Sequence, residues 1–185
     1  MTIGDSIDAA PRLKAVSNGE IQPPCKKVMT QQLDKGTMTG SIEELVGHAL
    51  RLLFTRDALL LEKNVAERSI ASKLAAYLMP HFPVHQVDVE YNRHGLEKKK
   101  VDLPTSCRGG GKKRIFPDVV VHQRGHDNEN ILVIQIKKET NPESRDCDRA
   151  IILAMKREFQ YRHGLLIDLP AGPGATAREP NLEWF

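Results

Sequence analysis

Two apolar runs in this 185-residue chain are interrupted by side chains that apolar walls seldom carry. RIFPDVVV places Asp118 directly after a proline, and ILVIQIKK places Gln135 and Lys137 at the end of a run of aliphatic residues. The turn-rich RGHDNEN lies between them, so the two runs read as a β-hairpin. With the loop centred between His126 and Asp127, facing residues have numbers that sum to 253, which sets Asp118 opposite Gln135 and Phe116 opposite Lys137. Gln135 and Lys137 leave the same face of their strand, and cross-strand neighbours on one face lie about 5 Å apart. A carboxylate, an amide and an ammonium group are thereby gathered where an unpaired charge is costly. Three readings answer to this: a structural Asp118–Lys137 ion pair, strand ends that simply surface, or a site for a bound ion.

The elements that must position these groups are legible in the spacing. Ser41 and Glu44 form an S-x-x-E capping box ahead of Ile42, Leu45, Val46, Ala49, Leu50 and Leu53, which predicts a helix with one apolar stripe. Asn64 and Glu67 repeat the signal ahead of Ile70, Leu74, Tyr77 and Leu78, with Pro80 as the stop. Val87, Val89 and Tyr91 alternate with polar residues as in a half-wet strand. Residues 93–114 read as a flexible basic loop containing Gly109, Gly110 and Gly111. Residues 115–122 and 131–137 read as strands, 146–160 as a helix with Asp146 as N-cap, and 164–169 as a last strand. The order α-α-β-β-β-α-β makes an α/β or α+β domain over residues 41–170, with a flexible N-terminal arm over 1–40 and a loose tail over 171–185.

Composition bounds the setting. A net charge of +3 suits a polyanionic partner without requiring one, and the longest apolar run, residues 150–155, has six residues where a membrane span needs about 18. Neither a membrane span nor a secretory leader is expected. Cys25, Cys107 and Cys147 are odd in number and far apart, so the expectation is no disulfide, no zinc site and a cytoplasmic location. GGGKKR is not a phosphate-binding P-loop, since Arg114 stands where that motif needs Ser or Thr.

RIFPDVVV, the hairpin and ILVIQIKK, in this order of elements, resemble the PD-(D/E)xK nuclease superfamily over residues 64–169. The resemblance implies a restriction-endonuclease-like core, a central mixed sheet of about four strands flanked by helices. It also implies Mg²⁺- or Mn²⁺-dependent phosphodiester hydrolysis, of DNA before RNA, in defence or repair. Asp118, Gln135 and Lys137 match its motif, and the acidic residue that the family carries on the preceding helix falls on Glu67. The implied metal ligands are Asp118, Glu67 and Gln135, with Lys137 beside the attacking water. Glu67 has a second reading as the third residue of its capping box. Gln135 stands where the family usually has Glu or Asp, which weakens the cation site and leaves open a catalytically silent nucleic-acid-binding or protein-interaction subunit. Arg93, Lys112, Lys113 and Arg114 are candidate phosphate contacts. A homodimer or a larger complex is the implied assembly.

Overall fold

Ser41 opens the first helix as its spacing predicts. In the computed structural model, which describes residues 40–94, 97–107 and 109–185, the Ser41 hydroxyl accepts from the Glu44 N–H and the Glu44 carboxylate accepts from the Ser41 N–H. The arm expected over residues 1–40 lies outside the described residues except for Gly40. Helix α1 (Ile42–Arg56) buries Ile42, Leu45, Val46, Ala49, Leu50 and Leu53, and is followed by the short α2 (Ala58–Glu62) and by α3 (Glu67–Leu78). The second capping box does not form: the N-cap of α3 is Ala66, without a side-chain bond, and Asn64 sits at φ 51°. Asn tolerates that left-handed conformation, so Asn64 serves the reversal after α2 and Glu67 is released for other contacts.

The strands are β1 (Gln86–Val89), β2 (Arg93–His94), β3 (Glu97–Lys98), β4 (Lys100–Leu103), β5 (Gly111–Arg114), β6 (Val119–His122) and β7 (Leu132–Lys138). Helix α4 (Asp146–Phe159) then leads to β8 (His163–Leu169) and β9 (Asn181–Trp184). A five-stranded sheet runs β1-β6-β7-β8-β9, antiparallel except where α4 carries the chain from β7 to the parallel β8. The protein is therefore α/β, with a mixed central sheet flanked by helices. Residues 115–117, expected in a strand, precede β6 as irregular chain.

The sheet has a core on each face. Val119, Val121, Leu132, Ile134 and Ile136 pack with α1 and α3, while Val120, Val133 and Leu166 pack with Ile151, Ile152 and Met155 of α4. Strand parity therefore turns Asp118, Gln135 and Lys137 toward α4.

Three expectations are corrected. The basic segment is not a loop but two antiparallel pairs, β2 with β3 and β4 with β5. Val101 and Leu103 of β4 are buried beside α4 and alternate with exposed Lys100 and Asp102, a short period of two that the run of lysines before it obscures. The tail is not loose: β9 pairs with β8, and the Glu62 carboxylate accepts from the N–H groups of Gly174 and Thr176. Its Pro and Gly residues mark turns between β8 and β9. Lastly, Cys107 and Cys147 form a disulfide. Packing β4–β5 along α4 brings together two cysteines that are 40 residues apart.

At the end of β6 opposite Asp118 lies a second polar cluster. Lys99 is 2% exposed, its ammonium donates to the Tyr161 hydroxyl at 2.9 Å, and the rings of Tyr91, Phe159 and Tyr161 surround it. Burial lowers its pKa from 10.5 to about 8, against the opposing charges of Asp127 and Asp88. The folded chain gives up this proton at lower pH than the unfolded chain, so the cost is full below pH 8 and is relieved between about 8 and 10.5. Lys99→Met is expected to stabilise the fold at pH 7 by about 1–3 kcal/mol, with the advantage shrinking by pH 10. Paired urea denaturation curves at the two pH values check this; a loss at pH 7 counts against it.

Candidate active site at the end of strand β7

The hairpin register is the one that the residue numbers imply: Val119 pairs with Ile134, Val120 with Val133 and Val121 with Leu132. The ladder stops one residue short of Asp118, whose carboxylate instead accepts from the Ile136 N–H at 2.7 Å. That bond fixes Asp118 against the strand that carries Gln135 and Lys137. Glu67, the first residue of α3, reaches the same strand from the other layer and accepts from the Lys138 N–H at 3.1 Å and from Asn141 at 3.4 Å. Lys138 completes the clamp by donating its ammonium to the carbonyls of Asn64 and Val65.

Sequence reasoning missed Asp148. It is 8% exposed in the first turn of α4, and its carboxylate lies 3.6 Å from the Lys137 ammonium, which also meets Glu143 at 3.2 Å. Its signal was present: Asp148 falls on the stripe that continues through Ile151, Ile152, Met155 and Phe159, a carboxylate at a core position. The loop between β7 and α4 is held by Arg145, whose guanidinium makes two bonds to Asp168, at 3.0 and 2.7 Å. It also bonds the carbonyls of Lys138, Asn141 and Glu143.

The electrostatics are those of crowded carboxylates. Burial pushes the Asp118 pKa from 3.8 to about 7; the Ile136 N–H opposes this, while the charges of Glu67 and Asp148 add to it. Burial likewise raises Asp148, against the pull of Lys137. For Lys137, burial works against the charge, but Asp148, the bond to Glu143 and the charge of Glu67 outweigh it and raise its pKa. Lys137 is thereby held as an ammonium, while the Asp118 carboxyl is drawn toward its protonated form.

Glu67, Asp118, Gln135 and Lys137 are thus brought to one end of the sheet. Gln135 is 5% exposed and its amide nitrogen is buried without a hydrogen-bond partner. An open depression of about 400 Å³ beside Glu67 is lined by Asn64, Glu67, Lys138, Thr140, Asn141 and Pro142; Asp118, Gln135 and Lys137 are not among its lining residues. The expected phosphate contacts are not on its rim. Arg93 lines the pocket of Lys99 and His122. Lys112 and Arg114 are exposed and Lys113 is half-buried on β5, with Lys112 facing a separate depression beside Glu158 and Phe159. Among the described residues no group of three or more His, Cys, Asp or Glu side chains is arranged to hold a metal ion. The carboxylates at this end of the sheet are those of Glu67 and Asp118, each on a backbone N–H of β7, and those of Asp148 and Glu143, both on the Lys137 ammonium.

No family model matches the chain, and neither a curated protein nor a solved structure is similar to it. Among the described residues, no helix is long and apolar enough to cross a membrane.

Proposed function

We propose that this chain is a divalent-metal-dependent nuclease with a restriction-endonuclease-like core, hydrolysing phosphodiester bonds of DNA at the end of β7. The observation that carries this reading is the buried Asp118 carboxylate, anchored on the Ile136 N–H, crowded by Glu67 and Asp148 and facing the strand of Lys137. Packing alone would favour an amide or an apolar residue there. A carboxylate kept at such cost suits a site whose ligand is positive.

A Mg²⁺-class ion fits two carboxylates, because it retains several waters and accepts phosphate oxygens as further ligands. Glu67 and Asp118 would hold it, with the Gln135 amide oxygen beside them. When bound, the ion supplies Lewis-acid polarisation of the phosphate and acidifies a coordinated water. The chain's own groups do the rest. Lys137, kept charged and aimed by Asp148 and Glu143, sets a fixed positive charge against the pentavalent phosphate. Arg145 and Lys138 lock the strand end and the start of α3, so the two carboxylates keep their spacing.

The cation competes with the Asp118 proton, so its binding is expected to strengthen as pH rises through about 7. Addition of 10 mM Mg²⁺ should raise Tm by about 3–5 °C at pH 8 and by less than about 1 °C at pH 5.5. Equal shifts at both pH values would remove Asp118 from the cation site. The function itself is tested by incubating linear and circular DNA, and RNA, with the protein in Mg²⁺, in Mn²⁺ and in EDTA.

A second reading, a silent nucleic-acid-binding subunit, is favoured by Gln135, a neutral amide at a position where a carboxylate would strengthen the cation site. It expects DNA binding in EDTA and no cleavage with either metal.

A further inference from the structure

The disulfide ties the basic hairpin to the helix of the candidate site. Cys107 lies in the turn between β4 and β5, Cys147 in the first turn of α4, and their Cα atoms are 5.3 Å apart. The covalent ring that it closes contains Asp118, Gln135 and Lys137. The residue after Cys147 is Asp148, the partner of Lys137.

The hairpin is built to grip a polyanion on one face and the protein on the other. Lys100 pairs with Arg114 and Asp102 with Lys112 on the outer face, while Val101 and Leu103 turn inward. Near the C-terminal end of α4 the Asp102 N–H donates to Glu158 at 3.3 Å; near its N-terminal end the disulfide is the tether. In the turn the Cys107 N–H donates to the Pro104 carbonyl at 2.8 Å and the Gly110 N–H to the Cys107 carbonyl at 2.9 Å. Gly109, Gly110 and Gly111 all have φ between 71° and 78°, a region open to glycine at little cost. The two sulfurs also differ in access: Cys107 is 1% exposed, while Cys147 is half-buried at the surface. An incoming thiolate therefore meets Cys147 first.

We propose that Cys107–Cys147 is a reversible thiol–disulfide exchange site that fastens the basic hairpin to α4 when oxidised and frees it when reduced. A reductant thiolate attacks the Cys147 sulfur, the Cys107 thiolate leaves, and a second reductant thiol, from the same molecule or another, resolves the mixed disulfide. Two electrons and two protons pass to the protein, leaving two cysteine thiols and an oxidised reductant. Its consequence for substrate rests on the nuclease reading: the oxidised chain presents its lysines as a fixed surface and binds DNA more tightly, because no ordering cost is left to binding.

The test equilibrates the full chain in reduced or oxidised glutathione. Three readouts follow: intact mass after alkylation, the rate of tryptic cleavage at Lys112 and Lys113, and binding of a labelled duplex in EDTA. In the oxidised buffer Cys107 and Cys147 should resist alkylation, hairpin cleavage should slow at least about tenfold, and the duplex should bind about five to ten times more tightly. Cys107→Ser and Cys147→Ser should each behave as the reduced chain in both buffers, and Cys25→Ser should keep the full response. Should the serine variants fail to fold, reduction of the unaltered chain gives the same comparison. Alkylation of both cysteines in the oxidised buffer, or equal cleavage rates in the two buffers, overturns the proposal. Redox-dependent protection without duplex binding in either state supports the exchange site and overturns the DNA-gripping role of the hairpin instead.

Discussion

Asp118→Asn should reduce DNA cleavage at least about 10³-fold and, at pH 8, make the protein more stable than the unaltered chain. The two effects have one cause. An asparagine keeps the volume, and its amide oxygen can still accept from the Ile136 N–H, now 2.7 Å from the carboxylate, so no packing is lost. What disappears is the charge that burial and the neighbouring Glu67 and Asp148 oppose. In the folded chain the carboxyl keeps its proton to about pH 7, whereas in the unfolded chain it loses it near 3.8. Its contribution to stability therefore falls as pH rises through that window and stays low above it. The stabilisation by the amide should be small at pH 4 and reach about 1–3 kcal/mol at pH 8, discounted from the full shift for relaxation of the site. Urea denaturation at the two pH values measures it. A variant destabilised at pH 8 would mean that Asp118 is a structural residue, and unimpaired cleavage would remove it from the chemistry.

Lys137→Met should act in the opposite direction on stability and in the same direction on cleavage. Lys137 and Asp148 are both largely buried and lie 3.6 Å apart, so removing the ammonium strands a carboxylate that retains one exposed neighbour of like charge, Glu143. Breaking one side of such a pair costs about 3–5 kcal/mol. Asp148→Asn on the same background should recover most of that loss, since the stranded charge is then gone. Cleavage should fall about 10²–10³-fold in Lys137→Met and should not return in the double variant, because under the proposed mechanism the lost charge is the one that faces the phosphate. Recovery of cleavage by Asp148→Asn would assign Lys137 a purely structural role. Single-turnover rates and melting curves on the same preparations separate the two effects.

How much of this was legible in the sequence differs from element to element. The hairpin register was readable because RGHDNEN has one centre and both strands are apolar throughout, which leaves a single alignment that stacks aliphatic on aliphatic. The first helix was readable because its cap is local. Glu67 was ambiguous because a capping box and a site residue share one pattern; only the left-handed turn at Asn64 decides against capping. Asp148 left its mark as a carboxylate on an apolar helical stripe, although its partner Lys137 did not; β9 and the disulfide left none, for a common reason. Each depends on a partner distant in the chain: β8 for β9, and the packing of β4–β5 on α4 for the cysteines. Local spacing carries no record of such pairings. The basic segment misled in another way, since the alternation of β4 is only four residues long, with Lys100 and Asp102 outside and Val101 and Leu103 inside, and lysines crowd its start.

Diffraction from Mn²⁺-soaked crystals, collected at the manganese absorption edge, addresses the heart of the matter. An anomalous peak within about 2.5 Å of carboxylate oxygens of both Glu67 and Asp118 is the expected result. Manganese bound elsewhere, or no peak at this end of β7 in a protein that nonetheless cleaves DNA, would contradict the site.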